Sequence, residues 1–131
     1  MRSPALTNSR QAYEFLRHRL SSAQEEFWAV ALSSELRVLK GEMIFRGTVN
    51  SCPIHPRELF RFLFLNQASS FLVAHNHPTG SILPSRSDLA VTRQIWKLSR
   101  LAQIPLNDHL ILAGDAYASL ADRGFFKTLK G

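Results

Sequence analysis

The stretch Phe71-Leu72-Val73-Ala74-His75-Asn76-His77-Pro78-Thr79-Gly80-Ser81-Ile82-Leu83-Pro84-Ser85-Arg86-Ser87-Asp88 decides the reading of this 131-residue chain. Its first part, from Ser70 to His75, is an apolar run of strand length. Pro78 to Pro84 has a proline at each end and a glycine inside, which makes a loop. Ser85-Arg86-Ser87-Asp88 follows the Ser-x-x-Asp capping pattern, and a long helix is expected from Ser85 to Ala102. Strand residues two apart project to the same side, about 6.6 Å apart along the chain. His75 and His77 can therefore converge on one ion, with Asp88 supplied by the helix start. Two histidines and a carboxylate leave a tetrahedral metal one open position, the ligand set of a catalytic zinc site. One zinc per chain is the expectation. Each part also has a simpler reading: His-x-His occurs by chance, and Ser85 and Asp88 serve as a helix cap. Asp88 can do both, with one oxygen for a metal and one for a hydrogen bond.

Outward from this segment, apolar residues at Ala12, Tyr13, Leu16 and Leu20 have helical spacing and predict a helix from Ser9 to Leu20. Phe27 to Ser33 reads as a buried strand. Glu35 to Asn50 holds two apolar stretches, read as one or two strands with Gly41 at a bend or bulge and Gly47 at the end of pairing. Pro56 to Asn66 reads as a helix, with Pro56 in the first turn and Glu58 at the positive end of the macrodipole. Asp108 to Leu112 is a further strand, Gly114-Asp115 a turn, and Tyr117 to the end a short terminal element. Alternating strands and helices give an α/β, or α+β, architecture with a mixed sheet flanked by helices. Residues 1–8 read as a lead-in and 9–131 as one domain.

Composition narrows the function classes. No apolar run approaches the roughly 18 residues that a bilayer requires, and no apolar segment follows Met1-Arg2-Ser3-Pro4 as in a secretory signal. Cys52 is the only cysteine, which excludes an internal disulfide and a multi-cysteine metal site. A cytoplasmic location is the expectation. The formal net charge is +6, with twelve arginines and four lysines. Arg86, Arg93, Lys97 and Arg100 fall near one face of the long helix. That stripe is a solvated face in the simpler reading. In the other it docks nucleic acid or an acidic protein.

The motif set resembles the JAMM motif of the JAB/MPN metalloproteases, and more narrowly the bacterial RadC-like branch. The matching stretches are Phe45-Arg46-Gly47-Thr48-Val49-Asn50, Ile54-His55-Pro56-Arg57-Glu58, Ala74-His75-Asn76-His77-Pro78-Thr79-Gly80, Pro84-Ser85-Arg86-Ser87-Asp88 and Asp108-His109-Leu110-Ile111. They run in one collinear order from about Ser9 to Gly124. The resemblance implies a JAB/MPN fold related to the cytidine-deaminase-like architecture. It also implies a catalytic glutamate on an upstream strand, for which Glu42 is the matching position; taken alone, Glu42 reads as an exposed strand charge. Full-length RadC-like proteins carry an N-terminal helix-hairpin-helix region that this sequence lacks.

The expected activity is that of a zinc metallopeptidase cleaving a peptide or isopeptide bond, with His75, His77 and Asp88 on the metal. Zinc would activate the water, Glu42 would carry its proton to the leaving amine, and the Ser85 hydroxyl would support the developing oxyanion. The substrate is expected to enter extended, along the strand of Glu42 and under the Pro78 to Pro84 loop. Asn76 points off the ligand face and reads as structural. Asp108 and His109 either orient ligands or make strand-end pairs. His18 and His55 read as ordinary. The rival class is a scaffold or DNA-repair-associated binding module without turnover. A zinc deaminase is excluded because its signature requires Pro-Cys-x-x-Cys. A Cys52/His55 protease pair lacks a third orienting group, and the consecutive His75-Asn76-His77 does not build the dispersed site of the nucleases that those letters spell.

Overall fold

The structure is a computed structural model in which residues 2–47 and 55–129 are described. The sequence expectations at Thr48, Val49, Asn50, Cys52 and Ile54 lie outside these residues. In chain order the elements are α1 (Ser9–Leu16), β1 (Glu26–Leu32), β2 (Val38–Arg46), α2 (Pro56–Leu65), β3 (Ser70–Asn76), α3 (Arg86–Ala102), β4 (Leu106–Ala113), β5 (Ala116–Ser119) and α4 (Phe125–Leu129). The five strands form one sheet in the order β2-β1-β3-β4-β5. Only the β3–β4 pair is parallel, so the sheet is mixed, as expected.

That parallel pair follows from the sequence between its strands. Strands running the same way need a long crossover, and α3 supplies it. All seven residues of β3 are buried, in keeping with its central position and continuous apolar run. Alternation sorts the core into two layers. Phe27, Ala29, Phe71 and Val73 face Leu59, Leu63 and Ile95 from α2 and α3. Val30, Leu72, Ala74, Leu110 and Leu112 face Tyr13 and Leu16 of α1. No helix among the described residues is long and apolar enough to cross a membrane.

Three sequence expectations are corrected. The first helix ends at Leu16 instead of Leu20. Beyond it, the chain turns so that Ser21 and Gln24 offer their carbonyls to the Asn76 amide. The span from Val38 to Arg46 is one strand, and Gly41 is no bend. Its register with β1 shifts instead opposite Leu39 and Ile44, between Ala31/Leu32 and Phe27/Trp28. Gly41 itself lies close under α1: a Cβ there would stand 3.3 Å from the Phe15 ring, which would have to shift by a few tenths of an ångström. The terminal element resolves into β5 and the short α4.

Glu26 ties the start of β1 to its surroundings. Its carboxylate accepts from Trp28 Nε1 at 3.0 Å, the Ser21 amide at 3.0 Å and Arg46 Nη2 at 3.0 Å. Burial alone would raise its pKa, but these hydrogen bonds outweigh it and hold the carboxyl below its usual range. A depressed folded-state pKa means that the stabilisation is present above the unfolded value and is lost as pH falls through the folded one. Glu26→Gln should therefore destabilise by about 1–3 kcal/mol at neutral pH. The deficit relative to wild type should shrink below about pH 4, measured by urea unfolding across the pH range.

Candidate metal centre

The carboxyl end of β3 and the amino end of α3 meet where parallel strands of α/β sheets commonly present ligands. His75 lies on the α3 side of the sheet, opposite Phe27 of β1. His77 follows β3 by one residue, held by its amide to the Leu112 carbonyl at 2.8 Å. Asp88 enters from the first turn of α3. His75 Nε2 stands 2.8 Å from His77 Nε2 and 3.0 Å from Asp88 Oδ1, and His77 Nε2 stands 3.3 Å from Asp88 Oδ2. Among the described residues, His75, His77 and Asp88 are the group whose donor atoms converge closely enough to hold a metal ion.

Asp88 caps the helix and keeps its second carboxylate oxygen turned to His75. Its Oδ2 accepts the Ser85 amide at 2.7 Å, and the Asp88 amide donates back to Ser85 Oγ at 3.0 Å, completing a capping box. Its Oδ1 faces His75. Burial would raise the Asp88 pKa, but the contacts to His75 and His77, with the Ser85 amide, hold it well below the usual carboxylate range. The hydrogen bond to Asp88 raises the His77 pKa, with burial opposing.

The donor set fits a cation. His77 Nδ1 lies 2.7 Å from the Ser81 carbonyl, which can only accept, so Nδ1 carries the hydrogen. In the neutral ring this leaves a bare Nε2 aimed at His75 and at a carboxylate. A cation among these groups would satisfy the lone pairs; without one, a proton on His77, favoured by Asp88, does so. Donors around a tetrahedral ion at 2.0–2.1 Å stand about 3.4 Å apart, close to the separations found. His75 and Asp88 are each 2% exposed in their side chains and His77 15%, so access is through His77. A cavity of about 260 Å³, lined by Arg17, Ser21, Pro78 and Gly114 among others, adjoins it. The larger cavity of about 910 Å³, between Trp96, Arg100 and Phe126, lies at the other end of α3 and does not reach the cluster.

The remaining sequence candidates fall in varied places. Ser85 is exposed beside Asp88 and its oxygen caps the helix. Glu42 pairs with Ala29 on edge strand β2, and its carboxylate lies 3.4 Å from Lys40 Nζ. Asn76 is structural, accepting the Glu26 amide at 2.8 Å through Oδ1. Asp108 accepts from Ser119 Oγ, Ala121 N and its neighbour His109 N, and so braces the strand ends and not the cluster. His109 does reach the cluster: its Nε2 is 2.8 Å from His75 Nδ1, and complete burial pushes its pKa well below the ordinary value. His18 and His55 are exposed. Arg86, Arg93, Lys97 and Arg100 are all exposed along α3, with Arg93 over the Phe125 ring and Arg100 over Trp96.

Sequence reasoning missed Glu25. Continuing the β1–β3 register past Phe27↔His75 sets Glu25 opposite His77, on the α3 face. It is half-buried, and its charge raises the His77 pKa. The signal was a period-two offset from Phe27, legible only once β1 is paired with β3.

Asp88→Ala in chelator-treated protein should cost about 1 kcal/mol through the cap alone. Asp88→Asn, whose amide oxygen can still accept the Ser85 N–H, should recover part of that loss. Thermal melts of the three proteins measure it.

Comparison with known proteins agrees with this geometry. Residues 6–125 match the family model of the RadC-like JAB domain. A UPF0758 protein of Cupriavidus pinatubonensis is 39% identical over 127 residues, covering 96% of this chain and 54% of that protein. The UPF0758 protein YeeS of Escherichia coli K12 is 34% identical over 121 residues, covering 92% of this chain and 82% of its own. One from Bacillus pumilus is 38% identical over 102 residues, 78% of this chain and 46% of its own. The chain thus spans about half the length of several curated relatives that it matches. With a collinear match over nearly its whole length and the motif residues gathered at one strand end, the chain belongs to the RadC-like JAB domain family.

Proposed function

We propose that this chain is a zinc-dependent metallopeptidase that hydrolyses a peptide or isopeptide bond, with one zinc held by His75, His77 and Asp88. The observation that carries this reading is the convergence of two imidazole nitrogens and a carboxylate in a buried cluster open on one side. Zinc, when bound, supplies Lewis acidity to the scissile carbonyl and to the attacking water. Ser85, exposed at the helix start, uses its oxygen as the cap acceptor and keeps its hydroxyl hydrogen to donate to the developing oxyanion. The proton from water passes to a carboxylate and on to the leaving amine.

Two glutamates compete for that last role. Glu42 is the position suggested by the motif resemblance, and it lies on the α3 face through its pairing with Ala29. Glu25 is the better placed: it stands one strand from His77 and bears electrostatically on it, whereas Glu42 is two strands from His75 and pairs with Lys40. We assign the proton-accepting role to Glu25, with Glu42 as the alternative. The substrate enters extended along the strand of Glu42 and passes under the 78–84 loop. β2 is the terminal strand of the sheet among the described residues, and a peptide would add to its outer edge beyond Val38, whose amide already donates to the Pro4 carbonyl. The alternative of a binding module without turnover is disfavoured by the presence together of His75, His77, Asp88, Ser85 and a nearby glutamate. The protein is proposed to act in the cytoplasm. The exposed cations of α3, which make no ion pair among the described residues, are proposed as a weak dock for nucleic acid or an acidic protein. Loss of salt-sensitive binding in the Arg86→Ala, Arg93→Ala, Arg100→Ala triple variant would support that dock, and unchanged binding at low salt would remove it.

Elemental analysis of purified protein should find one zinc per chain, and His77→Ala should lose it together with activity. In a screen of peptide and isopeptide libraries, Glu25→Gln should keep zinc and fold while kcat falls roughly 10²- to 10⁴-fold. Glu42→Gln should change little. The reverse pattern would return the role to Glu42. A zinc-loaded wild type that cleaves nothing in either library would favour the binding-module reading.

A further inference from the structure

We propose that Thr92 and His109 form a one-way hydrogen-bond relay that locks His75 in the tautomer with a bare Nε2 aimed at the cluster. The inference rests on the metal-binding reading above for its purpose. Its geometry stands on four groups that contact one another away from solvent.

The direction of the relay follows from counting hydrogens. Thr92 Oγ1 lies 2.6 Å from the Asp88 carbonyl, one turn earlier in α3. A carbonyl oxygen only accepts, so the single hydroxyl hydrogen of Thr92 is spent there. Thr92 Oγ1 also lies 2.5 Å from His109 Nδ1. With no hydrogen left to give, the hydroxyl oxygen accepts, and His109 Nδ1 donates. A neutral imidazole has one N–H, so His109 Nε2 is an acceptor. That atom is 2.8 Å from His75 Nδ1, which must then be the donor. His75 is left with its lone pair on Nε2, the atom that stands 3.0 Å from Asp88 Oδ1 and 2.8 Å from His77 Nε2.

Burial gives the relay its force. Thr92 and His109 are both 0% exposed, so water cannot substitute for a missing partner. The relay also joins the two ligands. It begins at the backbone of Asp88 and ends at the imidazole facing the Asp88 carboxylate. One chain of hydrogen bonds therefore ties the β3 ligand to the α3 ligand. Thr92 and His109 touch no substrate position and are positioning residues. Their role is to set ring orientation and lone-pair direction before a metal arrives, as outer partners of metal-bound histidines do elsewhere.

The test reads tautomers directly. Nitrogen-15 spectra of the histidine side chains are recorded on metal-free and zinc-loaded protein at about pH 8, above the ordinary histidine range. The expected result is His109 protonated on Nδ1 and bare on Nε2 in both states, with His75 Nδ1 protonated. A His109 ring protonated on Nε2 overturns the relay. Zinc affinity is then measured by chelator competition for wild type, Thr92→Val and Thr92→Ser. Thr92→Val, nearly isosteric but without the hydroxyl, should bind zinc about 10- to 100-fold more weakly. Thr92→Ser should stay close to wild type, and circular dichroism checks that each variant is folded. Wild-type affinity in a folded Thr92→Val overturns the proposal. If the wild type binds no zinc, the metallopeptidase reading fails, and the spectra of the metal-free protein alone decide the relay.

Discussion

The Asp88 carboxylate is the constraint on which the rest of this structure depends. It is 2% exposed and carries a charge that its surroundings must offset. A buried carboxylate without partners would cost several kcal/mol. Here the Ser85 amide and the positive end of α3 share that task, and a cation held between the carboxylate and the two imidazole nitrogens would complete it. Each partner has to be delivered to the same point. The helix must start at Arg86, β3 must reach Asn76, and the 78–84 loop must bring the chain round between them. Those requirements fix the β3–α3 junction.

The sheet makes that junction rigid. β3 is the central strand, bonded to β1 on one side and β4 on the other, and no residue of it is exposed. Its parallel pairing with β4 also places His109 two residues before the strand position opposite His75, on the same face. The ring can therefore reach across to Nδ1. The polar cluster is thus built into the layer that packs α3 against the sheet, with Phe27 meeting the His109 ring edge-on at 5.9 Å between centroids. Apolar packing on one side and hydrogen bonds on the other leave His109 little freedom to turn.

What the sequence made legible were features with local periods. The two-residue spacing of His75 and His77, the three-residue spacing of Ser85 and Asp88 and the loop between two prolines all specify geometry within a few residues. The strand, the cap and the convergence could be read from them. Features that depend on pairing between distant segments were not legible. The contact of His109 with His75 requires the β3–β4 register. The shifts opposite Leu39 and Ile44 require the β1–β2 register, and Gly41, which the sequence marks for a bulge, lies in regular pairing opposite Val30 and close under Phe15. The split of the C-terminal segment depends on β5 pairing back onto β4.

The adjacent glutamates Glu25 and Glu26 show how much turns on one residue of register. Strand alternation sends them to opposite faces. Glu26 turns toward Trp28, Arg46 and the Ser21 turn, where its charge is consumed by three hydrogen bonds. Glu25 turns toward His77 with its field acting on the cluster. A slip of one residue in the β1–β3 pairing would exchange them, placing the tied carboxylate at the cluster and the other away from it. The hydrogen bonds that hold Glu26, together with the Asn76 clasp on its amide, pin the register that presents Glu25. Binding at one face of β1 thereby sets the electrostatics of the other. This arrangement and the cluster it serves lie wholly within residues 6–125, the span common to the RadC-like JAB family.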